Sequence, residues 1–240
     1  MRVDLHCHLL PDLDDGPDTD EASVALARAL VADGVSVVAA TPHRTQRFAT
    51  PLHELLARLD RLRRLLAASE VPLEVLSGSE IRVDALLDMD DSELHALRLG
   101  GTGPLLIELP QREVAADPTW IVHDLLDRGY PVLLAHPERI PFLQIDQQPL
   151  ADLVARGAHA QLTCGALTGR YGTTAQRTAI AMLDAGLIDV LASDAHHHRL
   201  RPPEMEAARE WLAKHRPSAA FDDLAVHTPS VLIHRPAPAQ

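Results

Sequence analysis

Seven short runs rich in leucine and β-branched residues alternate with longer segments of helical period along this 240-residue chain. They are Arg2 to His6, Val35 to Thr41, Leu73 to Ser79, Pro104 to Glu108, Pro131 to Ala135, Ala158 to Thr163 and Ile188 to Ser193. That alternation is the pattern of βα units, which build a parallel sheet with helices packed on its outside. Leu52, Leu55, Leu56, Leu59, Leu62, Leu65 and Leu66 draw one apolar stripe on a 3.6-residue period, predicted to face the sheet. The first helix is predicted from Asp18, with Glu21 as its capping-box partner, to Asp33-Gly34, where the glycine can take a positive φ. No internal repeat or composition shift marks a linker, so one domain over 1–240 is expected, with a frayed Pro-rich tail at 235–240. Barrels of βα units commonly reach about 200 to 250 residues as one unit. Gly100, Gly101 and Gly103 in LGGTGP read as a loop before the fourth run and do not match a dinucleotide fingerprint.

Charge and rare residues remove several chemistries. Lys+Arg 22 against Asp+Glu 34 gives −12, whereas nucleic-acid binding draws its affinity from Lys and Arg that neutralise phosphates. Lys214, in AKHRP, is the only lysine. A phosphate-binding GxxxxGKS loop is therefore absent, and a Schiff-base lysine or a carbamylated-lysine metal bridge has no residue to carry it. Cys7 and Cys164 are too few for a disulfide framework or a four-cysteine zinc site. The amino terminus, MRVDLHCHLL, has no apolar stretch of signal-peptide length, and no segment approaches the roughly 18 apolar residues of a membrane span. A cytoplasmic protein without membrane insertion is expected.

The candidate ligands fall at or just after the carboxyl ends of the runs. His6 and His8 close the first, His43 follows the second, Glu80 the third, Glu108 the fourth, His136 the fifth, and Asp194 with His196 the seventh. In a barrel of parallel strands those ends form one rim, where barrel enzymes place their active sites. His6 and His8, two apart in an extended segment, project from one side. Each residue alone has an ordinary reading: a lone H-x-H is a weak metal signal, Asp14-Asp15-Gly16 is a turn, Glu80 and Glu108 are solvated strand ends, and His136-Pro137 caps a strand. Six successive coincidences of ligand type at strand ends are not so explained, and imidazoles with carboxylates suit manganese, iron or zinc. His197 and His198 are expected on the rim. His53, His95, His123, His159, His215, His227 and His234 are expected to be surface or packing residues.

DLHCH, DDG, ATPH, GSE, IELP, AHPER and SDAH, in this order from Val3 to about Pro203, resemble the PHP (polymerase and histidinol phosphatase) superfamily. GSE, IELP and AHPER narrow the resemblance to its bacterial manganese-dependent protein tyrosine phosphatases, which act on capsule and exopolysaccharide kinases. The resemblance implies a distorted seven-stranded (β/α)7 TIM-like barrel holding two or three metals, manganese first, with iron or zinc as alternatives. By position, His6, His8, Glu80 and Asp194 would hold one metal, and Glu80 would bridge to a second held by Glu108 and His136. A third would sit between Asp15, or its neighbour Asp14, His43 and His196. Arg139 and Arg201 match the family's phosphate-binding pair, although Arg199 in HHHRLRPP competes with Arg201. The reaction implied is hydrolysis of phosphotyrosine in a protein, such as a bacterial tyrosine autokinase, by a hydroxide bridging the metals.

Rival readings stay open. Cys164 to Arg170 spells C-x5-R, the spacing of cysteine phosphatases, but Thr163 stands where those enzymes place a histidine. An inert metal-binding regulator, a histidinol phosphatase or another small-molecule phosphomonoesterase would use the same ligands. Exonuclease work conflicts with the acidic surface.

Overall fold

The computed structural model describes residues 2–112, 117–216 and 221–234. The tail expected at 235–240 lies outside them. Among the described residues there are nine strands: β1 (Arg2–Cys7), β2 (Val35–Ala40), β3 (His43–Arg44), β4 (Glu74–Leu76), β5 (Glu80–Arg82), β6 (Leu105–Glu108), β7 (Val132–Ala135), β8 (His159–Thr163) and β9 (Val190–Ala192). All pair in parallel, in the orders β1-β2-β4 and β3-β5-β6-β7-β8-β9. A parallel bridge between Cys7 and Ala195 ties the segment after β9 back to β1. It is reinforced by His8 N–H donating to Ala195 O at 2.9 Å and Asp194 N–H donating to His6 O at 2.8 Å. The architecture is the distorted (β/α)7 TIM-like barrel expected, with one refinement.

The second and third runs hold β2 and β4, and just beyond the end of each the chain forms a further short strand, β3 and β5, that belongs to the other sheet. Pro42 separates β2 from β3, since it has no N–H to give a ladder. Ser77-Gly78-Ser79 separates β4 from β5; a Cβ on Gly78 would lie 2.7 Å from Leu99 Cδ2, so the chain bends there around a leucine that plugs the barrel.

Ten helices accompany these strands among the described residues: α1 (Asp20–Ala32), α2 (Leu52–Ala68), α3 (Asp91–Ala96), α4 (Thr119–Asp127), α5 (Pro141–Ile145), α6 (Gln148–Ala155), α7 (Cys164–Leu167), α8 (Gly172–Asp184), α9 (Met205–His215) and α10 (Thr228–His234). α1 starts two residues later than Asp18: Thr19 is its N-cap, and its side chain accepts Ala22 N–H at 3.2 Å. It ends as expected at Asp33, with Gly34 at φ 83°. α2 buries Leu55, Leu59, Leu62 and Leu66, but Leu56 turns outward and is 40% exposed. No helix is long and apolar enough to cross a membrane among the described residues.

Two apolar clusters divide the core. The inner one holds Val3, Leu5, Ala39, Leu106, Leu133, Ala135 and Val190, plugged at one end by Leu99 and by Leu232 and Ile233 of α10. The outer one seats the helices against Cys7, Val38, Ile107, Leu134, Leu162 and Leu191. Alternation on β6 carries the inward side from Leu106 to Glu108, and on β7 from Leu133 to Ala135. On β1 the same rule would send His6 outward, because Val3 and Leu5 point in. A register shift intervenes: Asp4 pairs with Val38 and Cys7 with Ala40, three residues against two. The extra residue is a bulge that resets the alternation, so Leu5 fills the barrel while His6 and His8 both face its mouth.

Candidate metal centre and active-site cleft

Every strand end named from the sequence delivers its side chain to one mouth of the barrel. His6 lies in β1 and His8 just after it, His43 opens β3, Glu80 opens β5 and Glu108 closes β6. In the β3–β5 ladder His43 pairs directly with Glu80. His136 follows β7 at φ 34°, and Asp194 follows β9 at φ 51°. Both are left-handed non-glycine residues, a conformation that turns a side chain back over the strand ends and concentrates at functional sites.

Four overlapping groups of ligand atoms result, each with its members within 4.8 Å of one another: His8, Asp15, His43 and His196; His6, His8 and Asp194; His6, Glu80 and His136; His43, Glu80 and Glu108. Glu80 joins two of them. Its Oε1 lies 2.7 Å from His136 Nε2, while its Oε2 is 2.8 Å from His43 Nδ1, 3.3 Å from His8 Nε2 and 3.4 Å from His6 Nε2. Despite three nearby nitrogens, Oε2 has no aligned hydrogen bond, and neither has His43 Nδ1. Buried polar atoms normally find partners. Nitrogens and a carboxylate oxygen that crowd together without bonding one another have the arrangement a shared cation would satisfy. Asp194 Oδ1 is 3.4 Å from His6 Nε2 and 3.6 Å from His8 Nε2. Asp15 Oδ1 reaches His196 Nε2 at 3.3 Å and His43 Nε2 at 3.5 Å.

The charges are arranged to keep carboxylates ionised and two imidazoles neutral. Burial alone would raise Asp194, but His6, Arg201 and Arg139 hold it far below the usual carboxylate range. Glu80 is likewise held well down by His6 and His136 against its burial. Glu108 goes the other way: burial and the charge of Glu80 push it up to about 7. Burial, with the charge of Arg139, lowers His136 to about 4, and burial, with the charge of His8, lowers His196 to about 4. Burial would also lower His8, yet Asp14 and Glu80 hold it well above its ordinary value. Neutral imidazole and ionised carboxylate are the forms that bind divalent cations.

The ligand groups floor a cleft of about 790 Å³. Arg139 Nη1 and Arg201 Nη2 both donate to Asp194 Oδ2, and both guanidinium groups line the cleft. Arg199 is exposed and does not line it. His197 and His198 stack on each other at 4.4 Å beside this segment. His53 is exposed, and His95, His123, His159, His215 and His227 make local contacts away from the cleft.

Asp14, the alternative to Asp15 in the DDG motif, takes a supporting place instead, and several further residues at the site had no sequence signal of their own. Asp14 is not in any ligand group; its Oδ2 holds His8 Nδ1 at 2.6 Å and accepts His43 N–H at 2.8 Å. Gln161, inside β8, accepts from His6 Nδ1 at 3.0 Å. Tyr171 lies under the Arg139 guanidinium, 4.6 Å from ring centre, and its hydroxyl accepts from Arg201 Nε at 3.4 Å. Arg47, Arg82 and Arg112 line the same cleft. A count of arginines within reach of each strand end would have marked the last three.

The cysteine-phosphatase reading fails on geometry. Cys164 is fully buried, and burial pushes its thiol well above the ordinary range. Arg170, its supposed partner, donates from Nε and Nη2 to the two carboxylate oxygens of Glu204, at 2.6 and 2.5 Å.

Comparison with known proteins places the chain in a family. Residues 2–234 match the family described as capsular polysaccharide synthesis, CpsB/CapC. Tyrosine-protein phosphatase YwqE of Bacillus subtilis is 34% identical over 213 residues, covering 88% of this chain and 84% of its own. The putative tyrosine-protein phosphatase CapC of Staphylococcus aureus is 29% identical, covering 83% and 79%. A crystal structure from work on YwqE and on CpsB of Streptococcus pneumoniae, described as unique metal-dependent tyrosine phosphatases, superposes with a TM-score of 0.87. It is 29% identical and covers 99% of both chains. With nearly its whole described length inside that match, the chain belongs to the CpsB/CapC family of capsular polysaccharide synthesis proteins.

Proposed function

We propose that this chain is a single metal-dependent phosphatase domain that hydrolyses phosphotyrosine in a protein, such as a bacterial tyrosine autokinase of capsule or exopolysaccharide synthesis, in the cytoplasm. The observation that carries the reading is Glu80 Oε2: buried, ringed by His6, His8 and His43, and without a hydrogen bond, at the floor of a cleft that also presents Arg139 and Arg201. His6, His8, Glu80 and Asp194 would hold one ion, Glu80, Glu108 and His136 a second, and Asp15, His43 and His196 a third. Manganese fits this mixture of nitrogen and carboxylate donors; iron or zinc would fit it too. When bound, such ions neutralise phosphoryl oxygens and lower the pKa of water toward neutrality.

The protein's own groups do the positioning. Arg139 and Arg201 are planar forks suited to two phosphoryl oxygens, and their shared anchorage on Asp194 Oδ2 at the cleft supports a phosphate-binding role for the pair. Tyr171 holds the pair from behind. Water oxygen forms the new bond to phosphorus in line with the breaking ester bond. The phenolate, with a pKa near 10, leaves readily and takes its proton from solvent.

Turnover of para-nitrophenyl phosphate and of a phosphotyrosine peptide, with manganese and after chelation, tests this. Activity should appear with metal and vanish without it. Arg139→Ala or Arg201→Ala should lower kcat/KM by about 10²–10³, the range for losing one transition-state donor. No turnover on either substrate with metal bound would sink the reading, and faster turnover of histidinol phosphate than of the peptide would reassign the substrate.

A further inference from the structure

We propose that the outer end of the cleft is a second subsite, built to take the carboxylate side chains of an acidic segment flanking the phosphotyrosine; this rests on the phosphatase reading above. The cleft is longer than its ligand floor. Beyond His43 and Glu108 it is lined by Arg47, Phe48, Arg82 and Arg112, none of which is in any ligand group.

Arg47 has no carboxylate within ion-pairing distance among the described residues. It is nevertheless held in place. Its guanidinium lies 4.9 Å over the Phe48 ring, and that ring stacks on the metal-facing His43 at 5.9 Å and 10°. Thr45 Oγ1 accepts the N–H groups of both Arg47 and Phe48, at 3.2 and 3.0 Å, which fixes the turn that carries them. An arginine seated on an aromatic face keeps its edge N–H groups free for an oxygen acceptor. Arg82 is tied at 2.7 and 2.6 Å to both oxygens of Asp84, so that pair is neutral overall. Arg47 therefore adds a positive charge to this part of the cleft, whose lining Arg112 shares.

The sign is not a by-product of general basicity, since the chain carries −12. A basic spot on an acidic molecule beside a phosphate-binding floor selects an anionic neighbour to the phosphate, and aspartate or glutamate side chains supply one in a peptide.

The test is binding, which is independent of turnover. The manganese-loaded protein would be titrated with two fluorescent peptides carrying a non-hydrolysable difluorophosphonate analogue of phosphotyrosine, one flanked by Asp and Glu, the other by Asn and Gln. The acidic peptide should bind roughly three- to tenfold tighter, as expected for two exposed ion pairs, with the difference shrinking at high salt. Arg47→Ala with Arg112→Ala should erase the difference; both residues are exposed, so the fold should be unchanged by circular dichroism. Equal affinity for the two peptides, or a preference that survives the double substitution, overturns the subsite. If the preference is seen but para-nitrophenyl phosphate is not hydrolysed, the subsite stands and the phosphatase reading falls.

Discussion

Asp14 and Asp15 are adjacent carboxylates with separate tasks. Asp15 is half-exposed and aims at His43 and His196, whereas Asp14 is buried, accepts Gly16 N–H at 2.9 Å and turns His8 so that its Nε2 faces Glu80 and Asp194. Gly16 is required there, because a Cβ would lie 2.7 Å from His8 O. Partners that orient a ligating histidine matter nearly as much as the ligand itself. Asp14→Asn should therefore weaken manganese binding by about 10- to 100-fold, read by titration calorimetry; unchanged affinity would remove Asp14 from this role. At this scale the side chains at the barrel mouth were legible because each stands at a run's end. Asp14's support of His8, Gln161's grip on His6 and Tyr171's place under Arg139 were not, because each depends on a partner distant in sequence or on the side a turn presents. The charge on Glu108 is equally a product of folding. Burial and the charge of Glu80 push its carboxyl up to about 7, so below that pH a cation must displace its proton. Apparent manganese affinity should rise about fivefold between pH 6 and 7 for that one proton, and more if His6 and His8, also raised, lose theirs. Calorimetry in two buffers of different ionisation enthalpy would count the protons released; a count of zero would contradict the shift.

Among the elements, the seven runs located the strands because Leu and β-branched segments between helical periods have few other ways to be buried. What the runs concealed were the breaks at Pro42 and Gly78 and the bulge in β1, since these arise from packing around Leu99 and from register against β2. Leu56 broke from the α2 stripe for a similar reason: a helix shows the sheet only one face, and Leu55, Leu59, Leu62 and Leu66 already occupy it. The start of α9 was also invisible in sequence, because its N-cap position is Glu204 at φ 59°, without a side-chain cap. The missing cap comes from the end of α1. Asp33 accepts Met205 N–H at 2.6 Å and Glu206 N–H at 3.0 Å. Asp33→Ala should cost about 1 kcal/mol, the usual effect of losing such a cap, as a lower midpoint in urea with an unchanged slope. An unaltered midpoint would mean that α9 does not need Asp33.

For the molecule as a whole, the site is a cost that a ligand offsets. Asp15, Glu80, Glu108 and Asp194 crowd one mouth of a chain that already carries −12, and ions that bind only the folded form stabilise it by mass action. At free metal about 100 times the Kd, the stabilisation is about 2.7 kcal/mol, which for a chain of this size is a melting shift of roughly 5–10 °C. Exhaustive chelation should lower Tm by about that amount in a calorimetric scan; an unchanged Tm would mean that the folded protein gains nothing from the ions. The bridge between Cys7 and Ala195 has a temporal consequence as well. It joins two stretches of chain nearly 190 residues apart, His6 on one side and Asp194 on the other. At about 5–20 residues per second on the ribosome, the interval between their emergence is roughly 10–40 s. Throughout it the nascent polypeptide carries His6, His8, His43 and Glu80 without Asp194, so the donors proposed for the first ion are assembled only after the last strand has docked against the first.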